Sequence, residues 1–247
     1  MKFNDFDKMM REFEESLDQY VPETSYMVAR LDGRGFTKLT KDFEKPFSGQ
    51  FHDMMVKTVH ALMTCGFNVL YGYTQSDEIS LLFDPNERAF NRKVRKYDSI
   101  LGGTASAAFS LELGKIAVLD CRVIPLPTVD DVCDYFLWRQ EDSVRNALNS
   151  YCYWKLRDSG KSARAAARLT DGKSVSEKHE MLQKMGVDFD AVTMWKKYGA
   201  GVAWENISRT GYNPKTGENI EAERRVLVTN EELPVGITYA HYIQSLL

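Results

Sequence analysis

The sequence predicts an α+β fold: an antiparallel sheet of split βαβ type, with helices on one face and an added helical region. Three observations carry this. Up to Pro127, strand-like and helix-like stretches follow the order strand, helix, hairpin, helix, strand. Two of the strand-like runs are separated only by Thr74–Glu78, short enough for a hairpin turn. After Pro127 the composition shifts to charged helical segments.

Residues 4–19 are charged, and Phe6, Met9, Met10, Phe13 and Leu17 recur along one helical face. Pro22 is expected to end that helix. Tyr26–Leu31 reads as a strand, broken sharply by Asp32-Gly33-Arg34-Gly35. Residues 36–47 read as loop with short structure. A helix is expected over about 48–65, with Phe51, Met54, Met55, Thr58, Val59 and Leu62 on its buried side and Gly66 as its stop. Residues 67–73 and 79–83 form the hairpin strands. A second helix is expected over about 92–113, where Gly102–Ala108 is small enough to pack close to a sheet. Residues 117–124 read as a strand closed by Pro125 and Pro127.

Beyond that point, residues 129–153 predict a long helix and residues 164–169 and 176–185 two shorter ones, packed beside the core. Residues 192–209 read as strand or mixed structure. Asn213-Pro214-Lys215-Thr216-Gly217 reads as a turn, and 224–228 as a return strand. The expected division is a catalytic core over 1–127, with a helical region and C-terminal strands over 128–247 packed on it.

Length and composition bound the function. The 247 residues are 43% hydrophobic, enough for one sizeable core. The formal net charge of -3 gives no global basic signal, which leaves room for a local basic face. Cys65, Cys121, Cys133 and Cys152 contain no Cys-x-x-Cys pair and read as buried thiols in a reducing compartment. With no signal peptide and no apolar run of membrane-spanning length, the expectation is a soluble cytoplasmic protein without a membrane partner. No Walker loop, no Gly-x-Gly-x-x-Gly after a strand and no Gly-x-Ser-x-Gly occurs. His52, His60, His179 and His241 form no ligand cluster and are expected in surface or packing roles.

The chemistry-bearing feature is a split acidic site. Asp32 lies just past a strand, and Asp77-Glu78 lies at a hairpin tip. Adjacent strand ends bring such carboxylates together, and a divalent cation relieves the repulsion between them. Carboxylates are hard ligands suited to magnesium, and a two-metal clamp serves nucleotidyl transfer. The competing reading makes Asp32 an Asp-Gly turn residue and Asp77-Glu78 a hairpin cap. Gly33-Arg34-Gly35 can present backbone N–H groups to a triphosphate. Phe36 reads either as a base-stacking or as a core aromatic. Arg88, Arg92, Lys93, Arg95 and Lys96 form one basic cluster, and Lys155, Arg157, Lys161, Arg164, Arg168, Lys173 and Lys178 another. Both suit phosphate contacts to RNA, or a mixed solvated surface.

Arg30-Leu31-Asp32-Gly33-Arg34-Gly35-Phe36, Lys45-Pro46, Tyr73-Thr74-Gln75-Ser76-Asp77-Glu78, Asp120-Cys121-Arg122-Val123 and Trp138-Arg139-Gln140-Glu141-Asp142 occur in this order. Together they resemble the tRNA-His guanylyltransferase (Thg1) family, in its Thg1-like branch of 3'-to-5' polymerases. The resemblance covers most of residues 5–205. It implies a sheet like the palm of polymerases and nucleotide cyclases. It implies that Asp32, Asp77 and the Gly33 carbonyl hold two Mg2+ ions, and that Asp32, Asp77 and Glu78 are the catalytic acids. Glu78 would act near the metals or through an intervening contact. Gly33, Arg34, Gly35, Phe36, Lys45 and Ser76 would hold the nucleotide. The implied substrates are GTP or another nucleoside triphosphate, ATP for 5' activation, and tRNA, with a homotetramer as the assembly.

One departure bears on the substrate. Eukaryotic members carry His-Ile-Asn-Asn-Leu-Tyr-Asn where this chain reads Val144-Arg145-Asn146-Ala147-Leu148-Asn149-Ser150. This favours templated repair of 5'-truncated tRNA over addition of one guanosine to tRNA-His. A nucleotide cyclase and a non-catalytic RNA-binding protein are the more remote alternatives.

Overall fold

A computed structural model describes residues 3–213 and 218–247. The chain runs α1 (Phe3–Glu15), β1 (Tyr26–Gly33), α2 (Phe36–Leu39), α3 (Gly49–Met63), β2 (Val69–Gln75), β3 (Glu78–Phe83), α4 (Val94–Leu113), β4 (Leu119–Leu126), α5 (Val129–Asp158), α6 (Ala163–Thr170), α7 (Val175–Lys184), α8 (Met194–Tyr198), β5 (Ala200–Asn213), β6 (Glu218–Asn230) and α9 (Ile237–Gln244). The strands form one sheet in the order β4-β1-β3-β2-β5-β6, with all neighbours antiparallel. The expected α+β antiparallel architecture is therefore present. The C-terminal strands continue the same sheet through pairing of β5 with β2.

Side chains alternate across the sheet. Met27, Ala29, Leu31, Ile79, Leu81 and Phe83 face α3 and α4 and form the larger core with Val59, Leu62, Leu101 and Phe109. Val28, Tyr71, Tyr73 and Leu82 face the other way, onto Val132 and Phe136 of α5 and Tyr239 and Ile243 of α9. Helices on one face thus describes α3 and α4 only. The second half of α5 packs with α7 in a separate cluster beside the sheet. The first half of α5 and α9 cover the second face of the sheet, where apolar residues at alternate strand positions require a cover.

Local chemistry sets the element ends. The Ser48 side chain accepts the Phe51 N–H and opens α3. Thr128 and Asp131 make a reciprocal capping box at the start of α5, as Ser174 and Glu177 do for α7. The small-residue stretch of α4 does pack close to β4. A Cβ on Gly102 would lie 3.3 Å from the Leu119 carbonyl oxygen, and Ser106 Oγ accepts the Leu119 N–H at 2.9 Å.

Several expectations are corrected. α1 stops at Glu15, before Pro22, and its apolar stripe is solvent-facing: none of its residues is buried. β4 runs through Pro125 to Leu126, since it is an edge strand that can lack a ladder donor. α5 extends to Asp158, because no Gly or Pro interrupts it before Gly160. α8 and α9 were not anticipated, being short helices without a strong period. The turn expected over 213–217 lies, apart from Asn213, outside the described residues. No helix among them is long and apolar enough to cross a membrane.

Candidate active site

Sheet register brings the split acidic motif together. Asp32, at the end of β1, lies opposite Glu78 on β3 and Asp120 on β4. Ser76 and Asp77 form the two-residue turn between β2 and β3, with Ser76 in the left-handed region at φ 55°. The turn is pinned to β1, since the Gly33 N–H donates to the Asp77 carbonyl at 3.1 Å. Thr74 Oγ1 closes it by donating to the Glu78 carbonyl at 2.9 Å. Asp32 and Asp77 therefore meet, although they are 45 positions apart in the chain.

The electrostatics of Asp77 are unfavourable without a cation. Burial raises its carboxyl above the usual range, and the charges of Asp32 and Glu78 raise it further. Ser76 Oγ, 3.1 Å away, opposes this by donating to the carboxylate. Among the described residues no group of three or more His, Cys, Asp or Glu side chains converges on one ion position. Two carboxylates nevertheless suit Mg2+, which takes few protein ligands and completes its shell with water and substrate phosphate.

Glu78 plays a different part. One carboxylate oxygen accepts from Arg30 and the other from Arg139 Nη1 at 3.0 Å. The Arg139 guanidinium also donates to Asp142 at 2.6 Å, and Arg145 pairs with the same carboxylate. With both oxygens engaged by arginines, Glu78 ties the acidic turn to β1 and α5 while still lining the polar cleft beside Asp77. Arg30 and Arg139 were quoted in motifs without a role; their partners lie 48 and 61 positions away.

The glycine segment presents fewer free amides than its sequence suggests. The Gly33 N–H is taken by Asp77, and the Arg34 N–H donates to the Val118 carbonyl at 2.8 Å. Gly33 is required because a Cβ there would sit 2.4 Å from the Phe36 ring. That ring is buried in the core, with centroids 5.1 Å from Phe109 and 6.1 Å from Phe51, so it is not a free stacking surface. Gly35, at φ 72°, turns the chain into α2.

Beside the acidic turn opens a cleft of about 530 Å³. Phe36, Thr40, Glu44, Lys45, Ser48, Ser76 and Asp77 line it, with Ser150, Tyr153 and Trp154 of α5 and Trp195 of α8 opposite. Lys45 Nζ donates to Thr40 Oγ1 at 3.1 Å and lies over the Trp154 ring at 5.7 Å. Burial lowers the Lys45 ammonium, and Asp77 acts against that shift. His52 also lines the cleft. It stacks on Trp195 at 4.1 Å, with Nε2 3.0 Å from a Glu231 oxygen. A smaller, polar cleft of about 260 Å³ adjoins the same turn and is lined by Gln75, Ser76, Asp77, Glu78, Asn146 and Asn149. His52 packs as the sequence suggested, whereas Trp154 and Trp195 escaped sequence reasoning because no local pattern marks an aromatic that meets a loop from another part of the chain.

The two basic clusters separate. In the first, Lys93 and Arg95 both pair with Asp18 at 2.7 Å, and buried Arg92 donates to the Ser25 carbonyl. These residues anchor the N-terminal segment to α4. In the second, Lys161, Arg164 and Arg168 are exposed on and beside α6.

Comparison with known proteins places this geometry. The family model described as tRNAHis guanylyltransferase matches residues 7–127, and that of the Thg1 C-terminal domain matches 130–241. The tRNA(His) guanylyltransferase of Schizosaccharomyces pombe is 30% identical over 188 residues, covering 71% of this chain and 72% of the relative. A longer relative, tRNA(His) guanylyltransferase 2 of Arabidopsis thaliana, is 26% identical over 234 residues, and the match spans 90% of this chain and 42% of that one. In fold, the chain is similar to a bacterial tRNA(His) guanylyltransferase (Thg1)-like protein in complex with ATP, with TM-score 0.76, 22% identity and 98% of both chains covered. With both family models and the Schizosaccharomyces pombe relative matched across the chain, the chain is a member of the tRNAHis guanylyltransferase (Thg1) family of nucleotidyltransferases.

Proposed function

We propose that this protein adds nucleotides in the 3'-to-5' direction to the 5' end of tRNA, in template-dependent repair of 5'-truncated molecules. The observation that carries the reading is the Ser76-Asp77 turn, pinned beside Asp32 at the mouth of the large cleft. Asp32, Asp77 and the Gly33 carbonyl would hold two Mg2+ ions. When bound, these supply charge neutralisation on the attacking and leaving oxygens of the phosphoryl group. Lys45 and Ser76 meet the triphosphate, with the later amides of the Gly33–Phe36 segment. The cleft takes ATP for 5' activation, and GTP or another nucleoside triphosphate for addition. A comparison structure with TM-score 0.75 is of a bacterial Thg1-like protein in complex with GTP, consistent with a nucleotide in this fold. Glu78 positions the turn through Arg30 and Arg139. The exposed Lys161, Arg164 and Arg168 follow tRNA phosphates. We extend the same reading to a homotetramer.

The second reading is addition of a single guanosine to tRNA-His, the activity in the names of the curated relatives. Asn149 and Ser150, two of the positions that depart from the eukaryotic pattern, line the clefts beside the acidic turn, where a change of side chain would bear on the substrate. This favours repair.

The test supplies Mg2+, nucleoside triphosphates and a 5'-truncated, 5'-triphosphorylated tRNA. Extension that follows the opposite strand is expected. Tight RNA binding without extension would refute the proposal. Asp32→Asn and Asp77→Asn are each expected to lower extension by at least ~100-fold, on the scale of losing one preorganised electrostatic group. RNA affinity should be largely retained.

A further inference from the structure

We infer that Trp138 is a stacking platform for an unpaired base at the end of the RNA, an inference that rests on the proposed RNA nucleotidyltransferase reading. Trp138 lies on α5 and is 53% exposed, unusual for the largest side chain. Its ring is not loose. The Arg139 guanidinium lies over it at 3.9 Å, and Tyr135 meets it edge-on at 5.9 Å. Arg139 is itself fixed by Glu78 and Asp142, and the Tyr135 hydroxyl is 3.2 Å from Ser80 Oγ on β3. The indole is thus held by immobilised partners while about half of it remains in water. A rigid aromatic surface of this kind suits a flat, apolar ligand, since little conformational freedom is lost on binding.

The surroundings name the ligand class. Contact runs from Asp77 to its neighbour Glu78, from Glu78 to Arg139, and from Arg139 to Trp138. The polar cleft that contains Asp77 and Glu78 continues along α5 through Asn146 and Asn149. Arg145, which pairs with Asp142 and whose side chain is 70% exposed, lies about two turns beyond Trp138 on α5. An aromatic shelf, exposed cationic charge and a polar cleft leading to the reacting carboxylates fit a single-stranded nucleotide. Every base has a π face, so such stacking tolerates any sequence, and the base must be unstacked from its own helix.

The experiment measures RNA and nucleotide dependence separately. For Trp138→Ala, KM for the RNA is expected to rise about tenfold, within the usual range for losing one base–aromatic stack. Extension at saturating RNA, and KM for the nucleoside triphosphate, should stay near wild type. Trp138→Leu keeps apolar bulk without a π face and should behave like Trp138→Ala, whereas Trp138→Phe should retain most of the affinity. A 2-aminopurine in the unpaired RNA end should be quenched by the wild type and much less by Trp138→Leu. This binding readout does not depend on catalysis, so a wild type that quenches but never extends removes the proposed activity and leaves the platform standing. Wild-type RNA KM and quenching in Trp138→Leu would overturn the inference. So would a fall in maximal rate with unchanged RNA KM, which would make Trp138 a prop for Arg139. So would a shift to a smaller sedimenting species, which would place a protein partner on the indole.

Discussion

Asp77 shows how a single residue records its task. Its carboxyl is raised by burial and then by Asp32 and Glu78, whereas in the unfolded chain it keeps an ordinary value. Folding therefore favours the protonated form. The stability linked to this group is fully present below the unfolded value and is lost as pH rises through the raised folded value. Asp77→Asn removes that loss. In the absence of divalent cations the variant is expected to melt higher than wild type at pH 8, by about 2–4 °C for each kcal/mol of relieved repulsion. The difference should vanish below the ordinary carboxylate range. Added Mg2+ should raise the melting temperature of the wild type and not of Asp77→Asn. Equal melting at pH 8 would show that the acidic turn is not strained by its charges. The types and spacing of Asp32 and Asp77 were legible in the sequence. The unavailability of the Gly33 and Arg34 amides was not, because their acceptors, Asp77 and Val118, come from other strands.

At the scale of elements, α5 joins the parts of the site. Its first half carries Tyr135, Trp138, Arg139 and Asp142 onto the sheet, and its second half carries Ser150, Tyr153 and Trp154 into the large cleft. Arg139 is buried and shared between Glu78 and Asp142. Replacing it with alanine removes one partner from each carboxylate while Arg30 still meets Glu78 and Arg145 still meets Asp142, a loss of about 1.5–3 kcal/mol for hydrogen bonds to charged groups. Urea unfolding of Arg139→Ala should show a loss of that order. Arg139→Lys should recover only part of it, since a single ammonium replaces a fork that spans two acceptors. A loss below about 0.5 kcal/mol, typical of a surface substitution, would mean the cluster does not fix α5. The existence of α5 was readable in the sequence over 129–153. Its docking over the second sheet face was not, because a continuous apolar run along a strand says that both faces are covered and not which helix covers each.

At the scale of the whole molecule, α1 is a helix with no buried residue among the described ones. Phe3, Phe6, Met10 and Phe13 are exposed on it, and Leu17 follows at 88% exposure. Lys93 and Arg95 tether its trailing end through Asp18. Under the proposed homotetramer, this face is covered by another copy. The double variant Phe6→Asp/Phe13→Glu should then sediment as a smaller species than the wild type, while its circular dichroism stays native-like, since α1 contributes no residue to the core. Unchanged sedimentation would remove α1 from the interface.

The sequence by itself determined the α+β class, the hairpin that carries Ser76-Asp77-Glu78, and the identity of the acidic pair. These depend on local period, turn chemistry and residue type, which are written consecutively along the chain. Tertiary structure alone decided that Glu78, which lines the polar cleft with Asp77, is also held between two arginines. It also decided that the first basic cluster anchors the N-terminal segment, that the Phe36 ring belongs to the core, and that Trp138 is held half-exposed by Arg139. Each of these outcomes turns on a contact between residues far apart in sequence. Charge pairing and burial are properties of the neighbour in space, and no local pattern records that neighbour.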